Sequence, residues 1–576
     1  MIAQHRSRCL GALVGALVFL SVAPAWAGPN PPADIQFTGE VRDDGFGRSV
    51  TAAGDVNGDG FIDYISGADG DDDVAQGSGE AYLFYGPLTH DIGARNADAT
   101  VTGEAIVDGL GNAVSSAGDV NADGFDDILI GARSNDTNGT QAGRAYIFNG
   151  PLTGPHGALE ADAIISGDPF DELGWSVAPA GDVNGDGFGD VLVGAWMADL
   201  VGQAFLFLGP LSGQLSEADA EAAFTGVVFS EELGDAVAAA DVNNDGVSDL
   251  LLGAPRPPVN GEDPGSVYVF FGPVSGRFLA SEADVILTGQ RDNDEFGTAV
   301  GAGDVNGDGA DDLIVGAQQL FSRGNGRAYI FYGPLNGAIS ANDADAILAG
   351  EDSDPEDFDL FGQAVASPGD TNGDDFDDVL VGAPTNYAGG TRGGRVYLFH
   401  GPLLGVIQAA SADRIFTGAE FDEVGTSVAS AGDANGDGLA DLLAGAPGFF
   451  DNNILGYAAL YFGDGTPPTG LEIVVTPIGP PIVLPLEGGT VRFRAEIVNR
   501  STVAVDFNFW TELVRPDGGL RTGSPRSLTL EAGASLILKG RQRIPAGAPP
   551  GTYTLRGLVG TFPTADDSDS FTFVKE

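Results

Sequence analysis

The chain has 576 residues, 83 of them acidic against 26 Lys and Arg, a formal net charge of −57 and a hydrophobic fraction of 43%. That balance excludes nucleic acid and anionic membrane surfaces as partners, since both are polyanions, and makes divalent cations the natural counter-charge. With 34 Phe spread along it, the chain still carries enough apolar mass to build a large core.

Residues 1–27 read as a signal peptide. Arg6 and Arg8 precede an apolar run over 10–22, and Ala25, Trp26 and Ala27 supply the small-x-small cleavage pattern. The run is too short to cross about 30 Å of hydrocarbon, so the expectation is secretion after cleavage at Ala27, without membrane insertion. The single cysteine, Cys9, leaves with this segment, and the remaining chain has no disulfide and no thiolate metal site.

Over residues 34–465 one acidic signature recurs seven times, starting at Asp55, Asp119, Asp182, Asp241, Asp304, Asp370 and Asp433, at intervals of 59–66 residues. Each copy holds four strand-like segments bounded by Gly, Pro and Asp clusters. The first is small and alternating (FGTAVGAGD from Phe296), the second apolar (DDILIGA from Asp126), the third rich in aromatics (RVYLFHG from Arg395), and the fourth ends in Thr-Gly (DVILTG from Asp284). Four strands repeated seven times predict an all-β fold, a seven-bladed β-propeller with the small first strands at its crowded axis. The last copy has no fourth strand after residues 457–462, whereas residues 34–39 at the start of the chain match the fourth strands. These two segments are therefore expected to pair and close the ring, hiding its sheet edges.

The signature itself is Asp-x-Asn-x-Asp, then usually Gly, with another Asp at position nine. In the first copy the side chains are Asp55, Asn57, Asp59 and Asp63, with the carbonyl of Phe61 at position seven. The same pattern gives Asp119, Asn121, Asp123, Phe125 and Asp127; Asp182, Asn184, Asp186, Phe188 and Asp190; Asp241, Asn243, Asp245, Val247 and Asp249; Asp304, Asn306, Asp308, Ala310 and Asp312; Asp370, Asn372, Asp374, Phe376 and Asp378; and Asp433, Asn435, Asp437, Leu439 and Asp441. Oxygen donors at alternate positions of a tight loop suit Ca²⁺, about seven ions in all, better than Mg²⁺, which keeps its own waters. An EF-hand is excluded because no copy has Glu at position twelve, and a helix-opening loop is excluded because β-like segments such as DLIVGA follow directly. Position six needs a turn that Gly makes without strain; the sixth copy has Asp375 there, which predicts the weakest site.

The Phe-Gly or Leu-Gly pair, the acidic loop and the following Gly-Ala or Gly-Ala-Pro (complete at 253–255, 382–384 and 445–447) resemble the FG-GAP repeats of integrin α-subunit propellers. The resemblance implies a propeller with structural calcium. Residues 466–470 (TPPTG) read as a linker, and 471–576 alternate like the strands of a small immunoglobulin- or fibronectin-like β-sandwich without its cysteine pair.

No catalytic constellation stands out. The three histidines past residue 27, His90, His156 and His400, fall in different copies, and no HExxH, GxSxG or phosphate-binding loop is present. The reading is a non-enzymatic extracellular binding or adhesion module for a protein or glycan, with a carbohydrate-active propeller (a lectin, or a polysaccharide lyase or hydrolase) as the alternative. Alternating strand direction puts the loops between strands two and three on the face opposite the calcium loops. Those loops carry Trp196, Phe321, Tyr387, Phe449 and Phe450 with Arg133, Arg256, Arg323 and Arg392, residue types that dominate binding hot spots.

Overall fold

The computed structural model describes residues 33–575 except 43, 72–74, 256–263, 292, 320–323, 352–357, 449–454, 464–470, 478–482, 486–488, 500–504, 517–519, 531–534, 546 and 562–563. Residues 1–27, read above as a signal peptide, residues 466–470, read as a linker, and Phe321, Phe449, Phe450, Arg256 and Arg323 lie outside the described residues. Among those described there is no α-helix, only strands and short 3₁₀ turns, and no helix long and apolar enough to cross a membrane.

Over the repeats the described strands form seven small sheets. In one of them Phe296–Gly303, Asp312–Ala317, Arg327–Phe331 and Ala346–Ala349 run antiparallel in that order. The second strand is buried along its whole length in every sheet, which explains its uninterrupted apolar sequence. First strands touch first strands around the molecule, and Ser427–Gly432 of the last sheet returns to Val50–Gly54 of the first, so the sheets form a closed ring with these strands innermost. This is the β-propeller that the repeats predict.

The repeat motif has a steric origin. A Cβ on the glycine of Gly-Ala would lie 1.9–2.2 Å from the carbonyl oxygen of the Phe-Gly, Leu-Gly or, at Val424-Gly425, Val-Gly glycine of the next repeat, from Gly67 against Gly111 through to Gly445 against Gly47. Backbone meets backbone at every seam, so both positions must be glycine.

Closure follows the expected route. Ile35–Arg42 pairs antiparallel with Leu455–Tyr461, in a register that sets Ile35 opposite Leu460 and Thr38 opposite Tyr457. The structure differs from the four-strand expectation in a fifth strand. After strand three the chain crosses to the preceding sheet and pairs in parallel with its fourth strand, as Gly154–Gly157 does with Ala99–Thr102 and Gly405–Gln408 with Ala346–Ala349, before turning back. Each loan covers an edge that would otherwise be open. Among the described residues the sheet containing Arg414–Thr417 has four strands.

Past residue 470 the strands form two further sheets, one of Leu471–Pro477, Gly489–Asn499 and Ser535–Ile544, the other centred on Val505–Val514, Gly551–Thr561 and Thr564–Lys575. They share one apolar core in which Val491, Phe493 and Ile497 meet Phe507, Leu513 and Leu555.

Candidate functional site

Each acidic loop joins strands one and two of its sheet, and its own side chains order it. The carboxylate at position one accepts the N–H of position six at 2.7–2.9 Å in all seven copies. The carboxylate at position five accepts the N–H of position seven at 2.9–3.2 Å. In the first loop the single N–H of Asp59 reaches both Asp55 Oδ1 (2.9 Å) and Asn57 Oδ1 (2.8 Å), which draws the oxygens of positions one and three together. Position six has a left-handed backbone everywhere, with φ of 87–92° at the six glycines and 68° at Asp375. Position four is left-handed as well, a requirement the sequence reading missed although five of the seven copies have Gly there; Ala122 (φ 57°) and Asn244 (φ 60°) are the exceptions.

The aspartate at position nine stands apart from the others in being fully buried. One of its oxygens accepts the N–H of the glycine that ends strand three, from Gly86 to Gly463, at 2.7–3.0 Å. The other accepts from the backbone of position two or three, as Asp127 does from Val120 at 2.9 Å. Burial pushes these carboxyls up, to about 6 for Asp63 and Asp190 and about 7 for Asp127, Asp249, Asp312 and Asp441, and repulsion from the loop's other aspartates adds to the shift.

The donor set fits a hard cation. Every side-chain donor is oxygen, each loop gathers three carboxylates, and the amide oxygen of Asn243 is buried without a hydrogen-bond partner. A divalent ion at such a loop would offset the repulsion that raises the position-nine carboxyls.

Neighbouring loops are also tied to one another. Asp126, at position eight of the second loop, accepts the N–H of Asp55 at 2.7 Å; Asp311 does the same for Asp241, and Asp377 for Asp304.

On the opposite face, Trp196 is half-buried. Its indole N–H donates to Glu172 at 3.0 Å, and its ring lies 4.6 Å from that of Trp175, over which the Arg133 guanidinium sits at 4.6 Å. Tyr387 is half-buried, and Arg392 pairs with Glu423 at 2.8 Å. The histidines are not brought together: His156 bonds Glu160 at 3.1 Å, His400 lies 3.8 Å from Asp413, and His90 bonds its neighbour Thr89.

The FG-GAP repeat model matches six stretches, residues 110–148, 173–205, 233–270, 296–331, 361–399 and 424–461. A phosphatidylinositol-glycan-specific phospholipase D of Bos taurus is 30% identical over 52% of this chain and 37% of its own length. Integrin alpha-5 of Xenopus laevis is 30% identical over 37% of this chain and 20% of its own, and integrin alpha-X of Homo sapiens 35% identical over 35% and 17%. The chain thus spans between about a sixth and somewhat more than a third of these relatives. The matched stretches run from strand one to strand three of successive sheets and enclose the acidic loops, and on that correspondence the chain carries six FG-GAP repeats, in a propeller similar to that of integrin α subunits.

Proposed function

We propose that this protein is a secreted, calcium-stabilised binding or adhesion module, with one Ca²⁺ in each of the seven loops and ligand contact on the face opposite them. The observation that carries the reading is the sevenfold recurrence of one oxygen-only donor set on one face of the ring. The role of calcium is structural: positions one, three, five and nine would hold it with the carbonyl of position seven, and position nine is already built into the sheet. Similarity to integrin α subunits supports an extracellular adhesion-type propeller and a non-enzymatic role. In the same reading residues 1–27 are the signal peptide, 466–470 the linker and 471–576 an immunoglobulin-like sandwich.

Thermal unfolding in Ca²⁺ and in chelator tests the reading. Ligand at about a hundred times its dissociation constant adds about 2.7 kcal/mol per independent site, so a large fall in melting temperature is expected on chelation. Equal melting temperatures would refute it. Turnover of glycan or phosphodiester substrates by the calcium-loaded chain would refute the non-enzymatic part alone.

A further inference from the structure

At the end of the ring opposite the calcium loops lies a pocket of about 380 Å³ whose lining includes Arg48, Arg133 and Arg392. A second, of about 180 Å³, adjoins it; the two share Arg48, Arg133, Gln363 and Thr426, and Trp175 lines the smaller. Arg48, Gln363 and Thr426 come just before the innermost strands Val50–Gly54, Ala364–Gly369 and Ser427–Gly432, which sets the pocket at the axis. Its size is that of a small-ligand site.

Three guanidiniums at one mouth stand out in a chain with 26 basic residues and a charge of −57. Arg133 is held in place, stacked on Trp175, which Trp196 braces in turn, with its backbone N–H on Asn112 Oδ1 at 3.1 Å. Two carboxylates share the lining with the three guanidiniums, Glu423 beside Arg392 and Asp69 4.0 Å from Arg133, and Glu172, outside the lining, also acts on Arg133. Burial, and after it the charge of Arg48, holds the Arg133 guanidinium below its usual range, as expected of partly desolvated cations that face each other. Oδ1 of Asp69 is buried without a hydrogen-bond partner and would accept a hydroxyl.

We propose that this axial pocket binds the carboxylate of an acidic sugar, a single uronate unit in an otherwise neutral glycan, whose one charge meets the local guanidiniums where a polyanion would be repelled by the chain as a whole. Planar guanidiniums take a carboxylate in paired hydrogen bonds. The rest of the wall, with Gln363, Thr385 and Thr426 beside the indole of Trp175, offers amide, hydroxyl and aromatic groups suited to a hydroxylated ring, whereas the stem of an acidic peptide side chain would find little apolar surface beyond Leu360 and Pro384. The assignment rests on the binding-module reading and names its ligand class.

The test titrates the full chain in Ca²⁺ with a glucuronate-containing tetrasaccharide, the same tetrasaccharide with its carboxyl reduced, and a Glu-rich peptide. Saturable binding of the acid alone is expected, at least about tenfold weaker in Arg48→Gln and in Arg133→Gln and weakened by salt. Arg48→Gln leaves the Trp175 stack intact, so it reports on the pocket even if Arg133→Gln unfolds. Absence of binding, equal binding of the reduced sugar, or indifference to Arg48→Gln overturns the proposal. Binding of the peptide in place of the sugar overturns it in favour of an acidic protein partner. Calcium-dependent melting of the same samples separates these failures from failure of the module reading.

Discussion

Left-handed backbone at positions four and six of each loop makes single residues there measurable. Asp375 at position six tolerates the conformation through its short polar side chain, whereas Ala122 at position four has no such compensation. Asp375→Gly is expected to raise the calcium affinity of the sixth loop a few-fold, read by calorimetric titration; unchanged or lower affinity would refute the strain argument. Ala122→Gly is expected to stabilise the protein by roughly 0.5–1 kcal/mol in chelator, the relief of strain exceeding the added freedom of the unfolded chain. A different residue, Glu217, governs a pH effect. Its carboxylate clusters with those of Asp168 and Asp171, and burial, followed by the charge of Asp171, pushes it well above its usual range. A raised carboxyl contributes stability that is complete below its ordinary pKa and drains away as pH rises through the folded value. With calcium saturating, the melting temperature should therefore fall from pH 6 to pH 8.5, and Glu217→Gln should flatten that fall; parallel profiles would sink the assignment.

At the level of strands and turns, the position-nine aspartate does two jobs that the sequence reading treated as one. Asp312 accepts the N–H groups of Gly333 (2.8 Å) and Asn306 (3.0 Å), joining the loop to the end of strand three whether or not an ion is present. Asp312→Asn should therefore destabilise the fold in chelator as well as in calcium, by about 1–3 kcal/mol for a buried donor left unpaired. Loss confined to calcium-loaded protein would mean that Asp312 serves the metal alone. The four main strands were legible in the sequence because each has its own pattern, from the small residues of Phe296–Gly303 to the aromatics of Arg327–Phe331. The lent fifth strand was not. Segments such as GPHG and GAIS alternate nothing and are partly or fully exposed; they pair through backbone groups that any sequence supplies. Position four of the loops was legible in principle, since glycine dominates there. Nor did spacing show that an Asp at position eight, such as Asp126, reaches the neighbouring loop, because partners 71 residues apart leave no local signature. On the opposite face the sequence brought forward Trp196 and Arg133 but not Arg48 and Trp175, which directly follow the Phe-Gly and Leu-Gly pairs of their repeats.

For the ring as a whole, the seam at Ile35–Arg42 and Leu455–Tyr461 is the only strand pairing among the described residues that joins the first repeat to the last in one sheet. Deleting residues 34–42 should lower the melting temperature sharply and expose apolar surface to a hydrophobic dye, with Phe37 losing its place against Tyr64 and Phe84; an unchanged melting curve would show that the remaining seams suffice. The seam also has a temporal side. Phe462 donates its N–H to Asp34 across 428 residues of chain, and the strand made first must wait for the strand made last. At about 5–20 residues per second of synthesis, that wait is roughly 20–90 s. Throughout it Ile35 and Phe37 lack their antiparallel partner and have only the two-residue strand Ile92–Gly93 to pair with, so the growing chain carries a half-paired, aggregation-prone edge at its leading end. The arrangement that leaves the finished ring without a loose end thus makes its newest stage the most dependent on chaperones.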